Sequence, residues 1–299
     1  MTSELLAQVI DGMPADFAGP ADDHLVTRNK MAPLHGHSLA PSTSVRIIET
    51  GGIRARWLGL PSSDPDRGTV LFFHGGAFVS CDRDAYLFYA EYIAAWVGVP
   101  VLTIDYRLAP EHPFPAALDD CTAAYRGVLN DGLAADRFIF LGDSCGGGLA
   151  LAALLAARDT GLTLPCGLVS LSGWTDLDTS GYGPDGPRGR DPFITEGFLR
   201  ARARDYLGPA GDLHVPGASP GRGDLSGLPP LFLQVGETDV CRRDAERLAT
   251  RARDAGVDAQ LDVVAGGVHG VQGLVSLGVP EAVAAWESVG RFTRALLDR

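Results

Sequence analysis

The sequence predicts an α/β protein in which a mostly parallel central sheet is covered by helices. Three observations support this prediction. Short apolar strands alternate with longer helical patterns along the middle of the chain, as they do in parallel sheets. A glycine-rich turn at 142–147 joins one of these strands directly to a helix rich in alanine and leucine. With 299 residues, 45% of them hydrophobic and 21% charged, the chain can bury a large core.

The predicted elements follow one another in a regular order. Two strands open the pattern, a short and bulky apolar strand comes third, and a helical segment separates each later strand from the one before it. The strands are predicted at 44–49, 53–58, 70–73, 99–104, 137–141, 168–171, 231–235 and 260–264. The helices are predicted at 84–96, 114–129, 144–158, 194–206 and 242–255, and after Pro280, with Asp82 or Asp84 capping the first.

One irregular segment interrupts this pattern. After Trp174 the chain becomes rich in Gly, Pro, Asp and Arg until about Gly227, with a single helical piece. The first forty or so residues also precede the sheet and carry apolar side chains at helical spacing. We therefore predict a single domain over 1–299, in which residues 1–42 and about 175–228 form a lid over the sheet.

The composition excludes several partners. The formal charge is -12, and Lys30 is the only lysine, so the basic residues are almost all arginine. An acidic chain repels a phosphate backbone and no basic stripe is apparent in the sequence, so we expect no nucleic acid partner. The first residues do not resemble a signal peptide, and the longest apolar run, near 149–157, is too short to cross a bilayer. The five cysteines are scattered and lack the spacing of a metal site, which favours reduced thiols in a cytoplasmic protein.

The run Gly142-Asp143-Ser144-Cys145-Gly146 fits the pattern G-x-S-x-G between a predicted strand and a predicted helix. Small flanking residues let the strand and the helix approach closely around a strained serine. In a chain with 38 glycines the motif can arise by chance, but its position favours Ser144 as a nucleophile. Asp143 is interpreted as structural. Cys145 is interpreted as a small packed residue, because only the central position of such a turn is exposed.

A second glycine motif, His74-Gly75-Gly76-Ala77, follows the third predicted strand directly. The backbone N–H groups of Gly75 and Gly76, together with that of Cys145, could stabilise the oxyanion of a tetrahedral intermediate. A plain turn after a buried strand is the alternative interpretation. The presence of the serine motif favours the oxyanion hole.

A serine nucleophile needs a base and an acid that orients the base. His269 lies in a glycine-rich loop after the last predicted strand, and Asp239 follows the strand at 231–235. The order Ser, Asp, His is the order expected along a chain of this kind. We therefore predict Ser144, Asp239 and His269 as a catalytic triad.

Other histidines and acids are weaker candidates for these roles. His74 is expected to brace the oxyanion loop, His112 lies in a proline-rich turn, and His214 lies in the irregular segment. The histidines before the sheet could line the lid; they are His24, His35 and His37. The alternative acids are Glu237, Asp244 and Asp176.

Six runs of residues carry a family resemblance. They are His74-Gly75-Gly76-Ala77-Phe78, Asp105-Tyr106-Arg107-Leu108-Ala109-Pro110-Glu111-His112-Pro113-Phe114-Pro115-Ala116, Gly142-Asp143-Ser144-Cys145-Gly146-Gly147, Trp174-Thr175-Asp176-Leu177, Leu228-Pro229-Pro230 and Gly236-Glu237-Thr238-Asp239-Val240. These runs resemble the hormone-sensitive-lipase-like branch of bacterial esterases and lipases, which have the α/β-hydrolase fold. The resemblance covers nearly the whole chain from Val70 to His269. It implies a triad and an oxyanion loop at the positions given above, and a lid made from N-terminal helices and the insertion after strand six.

The sequence departs from the family pattern at three positions. Ala77 replaces a frequent third glycine and Cys145 a common alanine, but neither change removes a backbone N–H group. Cys241 stands where a leucine is frequent. Some relatives of this fold lost the triad histidine and act as small-molecule receptors, so the presence of His269 argues against a receptor.

The expected function is therefore hydrolysis of small-molecule esters with short or medium acyl groups by a serine carboxylesterase, without a cofactor or metal. An acetyl hydrolase, an N-deacetylase or a lactone hydrolase is the nearest alternative. A ligand-binding protein without catalysis is a further one. The resemblance also allows a homodimer, since relatives often pair through the sheet edge.

Overall fold

The computed structural model describes residues 2–13, 17–19, 22–32, 38–81, 85–180 and 191–299. Within these ranges the helices are α1 (Glu4–Asp11), α2 (His24–Met31), α3 (Leu87–Val97), α4 (Ala116–Asn130), α5 (Cys145–Asp159), α6 (Glu196–Leu207), α7 (Arg242–Asp254) and α8 (Pro280–Leu297). The strands are β1 (Ser44–Thr50), β2 (Ile53–Gly59), β3 (Thr69–Phe73), β4 (Val101–Ile104), β5 (Phe138–Asp143), β6 (Gly167–Leu171), β7 (Leu231–Gly236) and β8 (Ala259–Val264).

The strands form one sheet in the order β1-β2-β4-β3-β5-β6-β7-β8. The pairs β1–β2 and β2–β4 are antiparallel, and every later pair is parallel. The opening hairpin therefore forms one edge, and β5 lies near the centre. The predicted fold class, a mostly parallel α/β sheet flanked by helices, is confirmed.

Both faces of the central strands are buried, which explains their continuous apolar sequences. Every residue of β3 and of β5 is buried. Leu71 and Phe73 belong to the apolar cluster that includes α4 and α5, whereas Val70 and Phe72 belong to the cluster that includes α3 and α8. This alternation fixes the register of β3, because a slip by one residue would exchange the two sets of side chains.

Several element boundaries differ from the prediction. Helix α3 begins at Leu87 with Tyr86 as its N-cap residue, not at Asp84, and the predicted caps Asp82 and Asp84 lie outside the described residues. Strand β4 begins at Val101 because the preceding proline has no N–H group for the ladder. Helix α4 begins at Ala116, since the Pro-Phe-Pro run before it disfavours helical backbone.

Two further features of the structure concern membrane-spanning helices and disulfides. No helix among the described residues is long and apolar enough to span a bilayer. All five cysteines lie in the described ranges, and none of them forms a disulfide.

Candidate active site

Ser144 occupies the sharp turn between β5 and α5. Its backbone has φ 53° and ψ -122°, a conformation that residues with a side chain rarely adopt. A Cβ atom on Gly142 would collide with the carbonyl group of Gly146, and one on Gly146 would collide with the carbonyl oxygens of Phe73 and His74. The two motif glycines are therefore required for the strand and the helix to meet at this turn.

The three residues predicted as a triad lie together in one hydrogen-bonded chain. The Oγ atom of Ser144 is 2.9 Å from Nε2 of His269, and Nδ1 of His269 is 2.9 Å from Oδ1 of Asp239. Oδ1 of Asp239 also accepts the N–H group of Cys241 at 2.8 Å. The Asp239 side chain is completely buried and that of His269 is 8% exposed, whereas Ser144 is half-buried.

The parallel pair β7–β8 explains why Asp239 and His269 meet. The last residues of the two strands, Gly236 and Val264, are paired partners, so the loops that follow leave the same edge of the sheet. Asp239 lies between β7 and α7, and His269 follows β8. A Cβ atom on Gly236 would lie about 2.5 Å from backbone atoms of Gly267 and Val268, so the glycine allows the two loops to touch.

The electrostatic environment favours the imidazolium form of His269. Burial alone would lower the pKa of His269, but the charge and hydrogen bond of Asp239, followed by the charges of Asp191 and Asp143, raise this pKa to about 9. Burial opposes ionisation of Asp239 as well. The charge of His269 and its hydrogen bond outweigh that burial and hold the pKa of Asp239 below its ordinary value.

The loop after β3 is wound into a tight turn. Gly76, Ala77 and Phe78 all have positive φ, and the carbonyl oxygen of Gly76 accepts the N–H groups of two later residues of the turn. Within the described part of the chain, the N–H groups of Gly75, Gly76 and Cys145 have no hydrogen-bond acceptor. Three donors predicted for an oxyanion hole are thus available to a bound oxygen.

Comparison with known proteins identifies the family. A family model described as an alpha/beta hydrolase fold matches residues 70–273. An acetyl-hydrolase of Streptomyces hygroscopicus is 39% identical over 70% of this chain and 69% of its own length. The carboxylesterase NlhH of Mycobacterium tuberculosis is 34% identical over 98% of this chain and 94% of its own. The crystal structure of an esterase from the bacterial hormone-sensitive lipase family covers 99% of both chains with a TM-score of 0.91 and 36% identity.

The chain belongs to the hormone-sensitive-lipase-like family of α/β-hydrolase esterases. The family resemblance, the fold class and the enzyme class predicted from the sequence, a carboxylic ester hydrolase, are therefore confirmed.

Two residues that the sequence assigned to structural roles brace the site of this esterase. Nδ1 of His74 is 2.7 Å from the carbonyl oxygen of Gly75, and the His74 ring stacks on Tyr106 with centroids 4.1 Å apart. The carboxylate of Asp143 accepts hydrogen bonds from the hydroxyl groups of Tyr86 and Tyr89 on the α3 side of the sheet. Burial raises the pKa of Asp143, which lies beside the nucleophile without contacting it through its side chain.

The alternative acids have other partners. Glu237 accepts the N–H group of Gly266 at 2.8 Å, and Asp244 accepts two backbone N–H groups at the start of the insertion. Asp176 forms an ion pair with Arg222. These carboxylates hold loops in place and do not contact His269.

The alternative histidines lie in other elements. His24 is the first residue of α2, and the backbone N–H groups of His112 and His214 bond within their own turns. His35 and His37 lie outside the described residues. Among the described histidines, His269 alone has a ring nitrogen hydrogen-bonded to Ser144.

Sequence patterns did not indicate two further residues at the site. Oγ of Ser172 accepts the N–H group of Gly270 at 2.9 Å, and its hydroxyl group lies beside the Asp239 carboxylate. Asp191, in the insertion after β6, accepts the backbone N–H group of His269 at 2.8 Å. Neither residue belongs to a motif with fixed spacing, so only the folded chain reveals the contacts.

One cluster of side chains has the composition of a metal site. Asp239, Cys241 and His269 each offer a ligand atom, and these atoms lie within 4.8 Å of one another. Two of these residues already share the hydrogen bond between Nδ1 and Oδ1, so a metal ion would compete with that bond. We assign no metal or cofactor to this cluster.

Proposed function

We propose that the chain hydrolyses carboxylic esters by acyl transfer through Ser144. Asp239 and His269 act as the orienting acid and the general base. The observation that carries this proposal is the continuous chain of two 2.9 Å hydrogen bonds from the serine hydroxyl to the buried carboxylate.

In the first half-reaction, neutral His269 takes the hydroxyl proton while Oγ of Ser144 attacks the ester carbonyl carbon. The resulting imidazolium gives that proton to the alkoxide oxygen as the C–O bond breaks, and the alcohol leaves. A water molecule then attacks the acyl-enzyme, with His269 again accepting and returning the proton. The products are the carboxylic acid and free Ser144. The buried Asp239 carboxylate keeps Nδ1–H of the imidazole oriented and stabilises the transient positive charge.

The negative oxygen of each tetrahedral intermediate would accept hydrogen bonds from the backbone N–H groups of Gly75, Gly76 and Cys145. A well-placed donor of this kind contributes about 3 kcal/mol to transition-state stabilisation. The absence of an acceptor for these three groups within the described residues supports the assignment. The N-terminal end of α5, where Cys145 is the first residue, adds a favourable dipole.

The single-domain organisation and the lid are part of the same proposal. We propose that residues 1–42 and about 175–228 form the lid, or cap, that the sequence predicts. Contacts between the described parts of these segments support this: the rings of Phe17 and Phe193 pack edge to face at 6.4 Å, and Arg202 donates to the hydroxyl oxygen of Thr27. Arg28 of α2 also donates to the carbonyl oxygen of Val79 in the oxyanion loop.

We infer that the acyl group is short, and an acetyl ester is the leading candidate. Phe78, beside the oxyanion donors, stacks on Tyr206 with centroids 3.8 Å apart and also contacts Trp174. All three aromatic side chains are buried, and we infer that this cluster limits the length of the acyl group. The relative from Streptomyces hygroscopicus, which is named an acetyl-hydrolase, favours the same choice.

The test compares Ser144→Ala with wild type on p-nitrophenyl esters of increasing acyl length, on lactones and on N-acetyl compounds. Loss of the nucleophile should lower kcat by about 10⁵-fold or more. Wild type should prefer acetyl or butyryl esters to long acyl chains. Ser226→Ala, at an exposed serine, is the matched control.

Labelling by a serine-directed phosphonate separates an enzyme from a ligand-binding protein on the same fold. Wild type should be labelled at Ser144, and Ser144→Ala should not. Near wild-type turnover by Ser144→Ala would refute the proposed nucleophile, and faster cleavage of lactones or N-acetyl compounds would replace the substrate class. Homodimer formation and a cytoplasmic location stay predictions from the sequence.

A further inference from the structure

Asp191 connects the insertion after β6 to both loops that carry the acid and the base. Oδ2 of Asp191 accepts the backbone N–H group of His269 at 2.8 Å and that of Val240, the residue after Asp239, at 3.3 Å. Oδ1 accepts the N–H groups of Phe193 and Ile194 at 2.8 and 3.1 Å. One carboxylate therefore holds four backbone donors from three separate segments.

The carboxylate is enclosed by other ionisable groups. It is faced by Asp239 and Cys241 from the loop after β7 and by His269 from the loop after β8. Burial, followed by the charge of Asp239, raises the pKa of Asp191 to about 6. Asp191 is therefore charged at alkaline pH, where its negative charge adds to that of Asp239 in stabilising the imidazolium form of His269.

We infer that Asp191 is a positioning residue for ester hydrolysis, which fixes the backbone of His269 relative to Asp239 and links the cap to the triad. This inference rests on the proposed function of Ser144, Asp239 and His269. Asp191 does not reach the reacting atoms itself. It acts through the backbone of the base, because the main chain of His269 must be held still for Nε2 to stay 2.9 Å from the serine hydroxyl.

The chemistry of the contacts requires a carboxylate. Two N–H groups donate to Oδ1 and two to Oδ2, and only an ionised carboxylate can accept two hydrogen bonds at each oxygen. In Asp191→Asn, one oxygen becomes an NH₂ group that would face two N–H donors. Either the loops that hold His269 and Val240, or the turn that leads to Phe193, must then shift. Because Phe193 contacts Phe17, the second shift would loosen the cap as well.

The experiment compares Asp191→Asn and Asp191→Ala with wild type on p-nitrophenyl acetate across pH. Each kcat is normalised to the fraction of Ser144 that a phosphonate labels, so unfolded molecules do not count. Displacement of a catalytic group by about 1 Å can cost about 10²-fold in rate, so we expect kcat to fall by about 10- to 100-fold with KM nearly unchanged. The acidic limb of kcat/KM should move to lower pH, since one negative charge beside His269 is lost.

Asp178→Asn is the matched control. Asp178 lies in the same insertion and accepts the N–H group of Ser180, two residues later, as Asp191 accepts that of Phe193. It has no contact with the triad loops among the described residues. This variant should keep the wild-type kcat and the wild-type position of the acidic limb.

Wild-type kcat and an unmoved acidic limb in Asp191→Asn would overturn the inference. A fall in kcat with an unmoved limb, or an equal fall in Asp178→Asn, would show a general structural role and would also overturn it. Failure of the phosphonate to label wild type would instead refute the proposed function, and the inference with it.

Discussion

The backbone of Ser144 is strained, and this strain can be measured by replacing the serine with two smaller residues. Both Ser144→Ala and Ser144→Gly remove the hydroxyl group and its hydrogen bond to His269. They differ in whether a Cβ atom must occupy φ 53° and ψ -122°. Such a conformation costs about 1–3 kcal/mol for a residue with a side chain, whereas glycine adopts it freely.

Glycine also has a cost, because it loses about 0.5–1 kcal/mol more conformational entropy than alanine on folding. Subtracting this entropy cost from the strain that glycine relieves leaves Ser144→Gly more stable than Ser144→Ala by about 1 kcal/mol. Urea denaturation measures the two free energies of unfolding. For 299 residues this difference corresponds to about 1.6 °C in Tm.

The decisive result is which of the two variants has the larger free energy of unfolding. At ordinary positions alanine is the more stable of the two residues. The same pair of substitutions at the exposed Ser226 should therefore give the opposite order. If Ser144→Gly were less stable than Ser144→Ala, the turn would not be strained and the reasoning would fail.

Three further predictions concern the surroundings of the nucleophile. The acidic limb of kcat/KM should lie above pH 6.5, because the pKa of His269 is raised and only the neutral imidazole accepts the serine proton; a pH–rate profile measures this. Tyr86→Phe removes one of two hydroxyl groups that donate to buried Asp143 and should lower the free energy of unfolding by about 1–2 kcal/mol in urea. Gly146→Ala should lower it by about 3 kcal/mol, because the added methyl group would collide with backbone carbonyls of the β3 loop.

Each of these predictions has a control or a contrary outcome. An acidic limb below pH 6.5 would mean that the carboxylates do not outweigh the burial of His269. Tyr92→Phe, in helix α3, for which Tyr86 is the N-cap residue, should leave the stability almost unchanged. Gly59→Ala is the control for Gly146→Ala, since its methyl group would meet only the Ser44 hydroxyl at an ordinary 3.4 Å. Equal losses at both glycines would contradict the steric argument.

The sequence predicted those parts of the site that depend on sheet topology. In a parallel sheet the loops after successive strands leave from one edge, so a motif after β5 and residues after β7 and β8 had to lie near one another. The structure brings Ser144, Asp239 and His269 together for this reason. The glycine motif after β3 lies at the same edge, since β3 and β5 are neighbours.

Contacts made by irregular segments could not be predicted in this way. Asp191 meets His269 across 78 positions of sequence, and no periodic pattern relates the two residues. Ser172 has positive φ immediately after β6, which propensity does not indicate for a serine. The predicted start of α3, Asp84, lies three residues before the observed start at Leu87. Aspartate is a common helix cap, so Asp82 and Asp84 favour a helix start in the sequence pattern whether or not a helix begins there.

The hydrogen bond between Ser144 and His269 joins residues 125 positions apart, and β6, β7 and β8 all lie between them in the chain. Each of these strands pairs with the one before it. A polypeptide emerging from the ribosome therefore contains Ser144, the proposed nucleophile, 125 residues before His269, the proposed base. In the proposed mechanism, ester hydrolysis therefore requires that β8 has paired with β7, because the loop after β8 carries His269.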